Sequence, residues 1–198
     1  MIKPLQNAFF LEMPAVKHKV KALGTGLVDL EGKALIIERD DRDHLPQLAT
    51  IKYAPDDVKG WDYEIPLKQG DKVYCHHFAA TDTFKITIGD EILHWQNYEQ
   101  LYAIQTDDDV IPLEHYVFIE QLYENEDDIR TASGIFTKPT TEAKHLTGVV
   151  RHASAYSKEL GLSIGDTVQY LSRARYPVKM QAGGVLWKTR VQNINCII

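Results

Sequence analysis

Cys75-His76-His77 is the first place in this sequence where side chains suited to chemistry stand close together. Cysteine and histidine both ligate zinc, and alternate residues of an extended strand share a face, so Cys75 and His77 can project the same way. A zinc site needs three or four ligands, however. His18, His44, His94, His115, His145 and His152 show no ligand spacing among themselves. The pair therefore reads as ordinary strand residues, and neither metal nor cofactor is expected. Other chemical motifs fail on spacing. Between Gly26 and Lys33 the two glycines are one residue too far apart for a phosphate loop, and Ala34 replaces the needed Ser or Thr. Gly24-Thr25-Gly26 lacks the third glycine of a dinucleotide fingerprint. No Gly-x-Ser-x-Gly elbow is present, and neither Cys75 nor Cys196 sits in a recognisable catalytic setting. The expectation is a protein that is not an enzyme.

Composition narrows the class further. The chain has 198 residues, 44% hydrophobic and 25% charged, which is close to the globular average. Its 22 basic and 28 acidic residues give a net charge of −6, which argues against a nucleic-acid partner. No apolar run approaches the roughly 18 residues of a membrane span, so no membrane partner is expected. Phe9-Phe10-Leu11 is too short for the apolar core of a signal peptide. Two cysteines are too few for a disulfide framework. Together these features predict a reduced, cytoplasmic protein.

The elements that position any site come in two sets, because the chain repeats itself. Pro4, Leu5, Phe10 and Glu12 recur 108 residues later as Pro112, Leu113, Phe118 and Glu120. Leu67 to Val73 matches Leu162 to Val168 at an offset of 95, and Ile92-Leu93 matches Val185-Leu186 at 93. Leu101 to Ile104 matches Ile194 to Ile197 at the same 93. The falling offset places extra residues of the first half after Gly26 and around Pro55 to Pro66, which read as loops because packed strands do not tolerate insertions. The polar joint Gln105-Thr106-Asp107-Asp108-Asp109 reads as a short solvated linker. This divides the chain into domains 1–106 and 107–198.

Each half reads as all-β. Short β-branched or aromatic runs punctuated by Gly, Pro and Asp predict strands at 8–12, 48–53, 72–78, 83–88 and 92–95, and at 116–120, 147–152, 167–171, 177–180 and 185–189. Gly89-Asp90 and Gly183-Gly184 predict hairpin turns, and residues 155–161 one short helical turn. Five short strands in about 95 residues suggest a small closed barrel. Between the first and second strands of each half lies a long segment, about 14–46 and about 123–146, and loops of that length are usually functional or mobile. Each holds an apolar island beside glycine: Gly26-Leu27-Val28 and Gly134-Ile135-Phe136.

This order of motifs resembles the chaperonin-10 (GroES-like) co-chaperonin family. Ile2-Lys3-Pro4-Leu5 is similar to its opening, Gly148-Val149-Val150 to its second strand, and Leu67 to Val73 and Leu162 to Val168 to its Gly-Asp strand. Glu91-Ile92-Leu93 with Leu101 to Ile104, and Gly184-Val185-Leu186 with Ile194 to Ile197, are similar to its closure. The likeness covers nearly the whole chain, taken twice, and is similar to the fused double co-chaperonins of chloroplasts. With no transit peptide before the first domain, a bacterial or phage-type cytoplasmic version is expected.

The resemblance implies two tandem GroES-like small β-barrels that cap a chaperonin-60 ring as a homo-oligomer and assist ATP-dependent folding. It implies that Gly26, Leu27, Val28, Gly134, Ile135 and Phe136 bind the chaperonin and that Phe84 and Tyr176 face the cage interior; Leu35 to Ile37 is the alternative to Leu27-Val28 as the anchor of the first loop. Asp29 and Thr137 depart from the family at the third loop position, where an aliphatic residue is usual. Two domains per chain also give an even count, against the family's odd-numbered ring. Both departures favour the alternative reading, a GroES-like structural or interaction scaffold that no longer binds a chaperonin.

Overall fold

The computed structural model describes residue 4 and residues 7–14, 47–56, 67–122, 145–171 and 175–198. Strands form where apolar side chains alternate. In β1 (Ala8–Glu12) Phe9 and Leu11 are buried between less buried neighbours, and β2 (Leu48–Tyr53) buries Ala49 and Ile51 in the same way. With β3 (Lys72–Cys75), β4 (Lys85–Ile88), β5 (Glu91–Asn97), β6 (Leu101–Gln105) and β7 (Val110–Pro112), these build an antiparallel sheet in the order β4-β5-β1-β2-β3-β6-β7. A second sheet follows from β8 (Tyr116–Gln121), β9 (His145–Ala153), β10 (Thr167–Leu171), β11 (Tyr176–Lys179), β12 (Val185–Arg190) and β13 (Ile194–Ile197). Its order is β11-β12-β8-β9-β10-β13, which repeats the first six strands of the first sheet position for position. One short helix, α1 (Ala155–Glu159), is capped by the Ser154 hydroxyl, which accepts from Ser157 N.

The two halves repeat in detail as well as in order. Gly70 and Gly165 both take positive φ, 94° and 96°, where glycine avoids a Cβ clash. Gly70 N donates to Ile51 O and Gly165 N to Val150 O, at 2.8 and 2.9 Å. The next residue's carboxylate closes each turn: Asp71 accepts from Lys68 N, and Asp166 from Ser163 N. Register shifts fall at Phe10/Leu11 in β1 and Phe118/Ile119 in β8, and again at Tyr74/Cys75 in β3 and Gln169/Tyr170 in β10. Bulges re-aim the strand that carries them, so repeating them repeats the curvature of each sheet.

The described residues are all-β apart from α1 and short 3-10 turns. Where closed barrels are expected from the sequence, the described residues form two antiparallel sheets, with β4 and β7 at the edges of one and β11 and β13 at the edges of the other. The predicted linker differs too. Thr106 N donates to Asp109 O, and the Thr106 hydroxyl accepts from Asp109 N, making Gln105–Asp109 the turn of a hairpin that brings β7 back along β6. The chain crosses between sheets only at Leu113-Glu114-His115.

β8 is buried along Tyr116, Val117, Phe118 and Ile119 because both of its faces are covered. Val117 and Ile119 enter the second core with Val150, Val168 and Tyr170. Tyr116 and Phe118 join the first core, with Phe9, Leu11, Ile51, Tyr74 and Leu101. Val178 of β11 belongs to that first core as well. Gly148 makes the β8–β9 approach possible, since a Cβ there would lie 2.4 Å from Ile119 Cγ2 and 2.7 Å from Glu120 O.

Candidate functional site

Gly26, Leu27, Val28, Gly134, Ile135 and Phe136, and the alternative anchor Leu35 to Ile37, lie outside the described residues. The strands that carry their segments are described. β1 and β2 are antiparallel neighbours whose pairing reaches Glu12↔Thr50, and β8 and β9 are neighbours whose pairing reaches Gln121↔Gly148. Residues 13–47 and 122–144 therefore leave and re-enter corresponding ends of corresponding strand pairs.

Phe84, just before β4, and Tyr176, the first residue of β11, hold equivalent places. Phe84 makes an edge contact with Trp95 across the β4–β5 hairpin, at 5.4 Å between ring centroids. Tyr176 turns instead to the other half. It stacks on His76 at 4.5 Å and meets Tyr102 edge-on at 6.1 Å.

These rings belong to a cluster at the junction of the halves. Lys188 of β12 places its Nζ 4.1 Å from the ring centroid of Tyr102, 4.9 Å from Tyr116 and 5.6 Å from Tyr176. Tyr102 comes from β6 of the first half and the other residues from the second, so the lysine is held across the junction by ring faces that attract a cation. Burial, and to a lesser degree the Arg190 charge, lowers the Lys188 amine to about 8. Burial pushes the Tyr102 hydroxyl far up, with Tyr116 and Cys75 adding to the shift. Tyr116 OH donates to Glu99 O at 2.7 Å, which ties the second half to the turn after β5. The cage is filled by the protein's own lysine, so it acts as a clasp between halves.

Hydrogen bonds reinforce the clasp. The Gln47 carboxamide donates to Pro177 O at 2.9 Å and accepts from Lys179 N at 2.8 Å, supplying both partners that an added strand would supply to β11. Tyr74 OH accepts from Gln181 N and donates to Gln105 Oε1.

Cys75 is fully buried, its Sγ 3.5 Å from Gln47 O, and burial pushes its thiol up to about 12. A protonated, enclosed thiol neither ligates nor attacks. His76 turns its ring between Phe78 and Tyr176, while its Nδ1 accepts from Phe78 N at 3.2 Å. The described residues hold no group of three or more His, Cys, Asp or Glu able to bind a metal. Among the described residues, no helix is long and apolar enough to cross a membrane.

Sequence reasoning missed Lys188, Tyr102, Tyr116, His76 and Gln47 as a cluster. A signal for Lys188 was present: the offset of 93 that aligns Leu93 with Leu186 also sets Lys188 against Trp95, a charge in an aromatic's place. Neither the family models nor the curated proteins include a match to this chain.

Proposed function

We propose that the chain is a tandem GroES-like co-chaperonin, a binding protein without chemistry of its own that caps a chaperonin-60 ring through its two long connections. The observation that carries this reading is that both connections join corresponding strands in two sheets that share the order of six strands. Leu27-Val28 and Ile135-Phe136 belong to those connections in the sequence. Burying two large apolar side chains is worth roughly 3–6 kcal/mol, while ordering a flexible loop costs about 1–2 kcal/mol per residue. A single loop therefore binds weakly, and several loops on one assembly bind through their raised effective concentration.

The same repeat supports a homo-oligomer. β7 covers the outer edge of β6. By the 108-residue offset its counterpart is Ile2-Lys3-Pro4, and the counterpart of β6 is β13, whose outer edge pairs with no strand among the described residues. Residues 2–4 of one copy laid on β13 of the next would repeat the β6–β7 pairing between chains. Such head-to-tail contacts close into rings when the rotation allows. Ile197 and Ile198 at that edge are 52% and 70% exposed, which is the apolar surface such a contact would cover.

The test is to mix the protein with a chaperonin-60 from its source organism and ATP, and to sediment the complex. Cosedimentation that is lost on deleting residues 24–37 and 133–137 supports the lid. Absence of binding to every such chaperonin defeats it. Full refolding of a chaperonin-dependent client by the loop-deleted chain favours the interaction scaffold. A monomeric solution mass defeats the avidity on which the lid depends.

A further inference from the structure

The chain crosses from the first sheet to the second through a tight turn. Tyr116 N donates to Leu113 O at 3.0 Å, which puts Glu114 and His115 at the two corners. Glu114 has φ 46°, the one positive value at a non-glycine among the described residues. Glycine or asparagine takes such a corner with least strain, so the backbone gives no reason for a glutamate there. The turn borders a cleft of about 320 Å³, within the range of about 300–1,000 Å³ usual for small-molecule sites.

The walls come from both halves. Tyr98 lies in the turn after β5, Ile111 and Pro112 in β7, and Ala155, Tyr156 and Glu159 in α1. Ala155 and Tyr156 stand four and three residues before Glu159, so the three share a face of the helix. Ile111 is 47% and Tyr156 43% exposed, and Glu159 is exposed too, so the walls offer side-chain surface to solvent. His115 meets the Tyr156 ring nearly at a right angle, 4.4 Å between centroids, which fixes that ring at the cleft. Two acidic residues, Glu114 and Glu159, border the cleft from different walls.

We propose that this cleft binds a small organic ammonium ion, its apolar body against Ile111, Pro112 and the Tyr156 ring and its charge beside Glu159 and Glu114. The class follows from the groups on the walls. Apolar side chains left partly in water gain from covering by an apolar body, which supplies most of the affinity. A tyrosine face attracts a cation and repels an anion. The two carboxylates favour the same sign of charge. Exposed charges contribute modestly, so they set which ligand is preferred more than how tightly it is held. An anion would meet like charge on two walls, and a neutral molecule of the same shape would forgo the attraction. Because the walls belong to both halves, a bound ligand joins them and stabilises the folded chain by mass action.

The experiment uses the full chain at low salt with phenethylammonium as the probe. Phenethyl alcohol keeps the body without the charge, and phenylacetate reverses the charge. Nα-acetyl-lysine N-methylamide stands for the same ammonium carried on a protein partner. The Tyr156 ring resonances and the Glu159 amide should move with phenethylammonium. The alcohol and the lysine derivative should bind about threefold or more weakly, and phenylacetate should leave those resonances in place. Glu159→Gln, a change at an exposed position, should keep the melting midpoint and lower the affinity for phenethylammonium about threefold. Tyr156→Ala should lower it about tenfold. The proposal is overturned if phenethylammonium moves neither resonance at millimolar concentration, if the alcohol or phenylacetate binds as well, or if Glu159→Gln binds undiminished. Tighter binding of the lysine derivative overturns the small-molecule assignment. Should Tyr156→Ala fail to fold, the comparison of amine with alcohol on the unaltered chain decides. The site contains no residue of either long connection, so its test and that of the chaperonin reading fail separately.

Discussion

Lys188 stands in the second sheet where Trp95 stands in the first: Phe118 pairs with Lys188 as Phe10 pairs with Trp95. The aromatic facing each is also equivalent, Phe84 beside Trp95 and Tyr176 beside Lys188. One pair completes a ring contact within a half, and the other sets a cation among rings from both halves. The geometry is shared, and the exchange of Trp95 and Phe84 for Lys188 and Tyr176 separates a local contact from a junction.

That exchange gives stability a pH dependence. The Lys188 amine titrates near 8 in the fold, below the roughly 10.4 of an unfolded lysine. Between those values the unfolded chain holds more protons, so stability rises with pH. The cost of burying the charge is fully present below about 8. Above about 10 the buried tyrosines, whose hydroxyls burial raises, reverse the trend as the unfolded tyrosines ionise. Lys188→Met should therefore match or exceed the original stability at pH 7, and its advantage should shrink by pH 10. Denaturant unfolding of both proteins at pH 7, 8.5 and 10 checks this; a constant difference would show that the amine is not desolvated.

Gly148→Ala should destabilise by about 1–3 kcal/mol through overpacking. The added methyl group meets the backbone oxygen of Glu120 as well as a side chain, and a strand carbonyl cannot step aside without loosening β8 from β9. Denaturant midpoints measure the loss, and a change below about 0.5 kcal/mol would mean that the strands separate easily.

Gln47→Leu should remove two bonds to β11 at once and leave Pro177 O and Lys179 N without those partners. Because Pro177 and Lys179 are exposed, a loss of about 0.5–1.5 kcal/mol for each hydrogen bond is expected. Native-state hydrogen exchange gives the more specific readout: the Lys179 amide should exchange much faster, while amides of the β2–β3 pairing change less.

The two thiols should react very differently. Cys75 is enclosed and held protonated up to about pH 12, whereas Cys196 is exposed. At pH 8 a disulfide reagent should label one thiol per native chain, at Cys196, and two after denaturation. Labelling of Cys75 in the native protein would show that the first core opens.

Strand positions were readable because alternation is local. Phe9 and Leu11, or Ala49 and Ile51, announce a half-buried strand without reference to anything distant. The strand predicted through residue 78 ends at Cys75 instead, because the His76 side chain accepts from Phe78 N and starts a 3-10 turn. The polar run at Gln105–Asp109 faces solvent, as its composition predicts, and forms a hairpin turn where a linker is expected. A hairpin turn and a linker share that composition, and only the partner strand distinguishes them. The run Tyr116-Val117-Phe118-Ile119 marks a strand, yet nothing local says that its two faces belong to different cores. The clasp is harder still. Lys188 is notable for what surrounds it, and Tyr102 and Tyr116 come from far away in the chain.

The double-sided burial of β8 also has a bearing on the order of synthesis. Synthesis passes the last strand of the first sheet, at Pro112, before it reaches Val178, yet Val178 belongs to that sheet's core. The nascent first half therefore keeps an unfinished apolar face until much of the second half has been made.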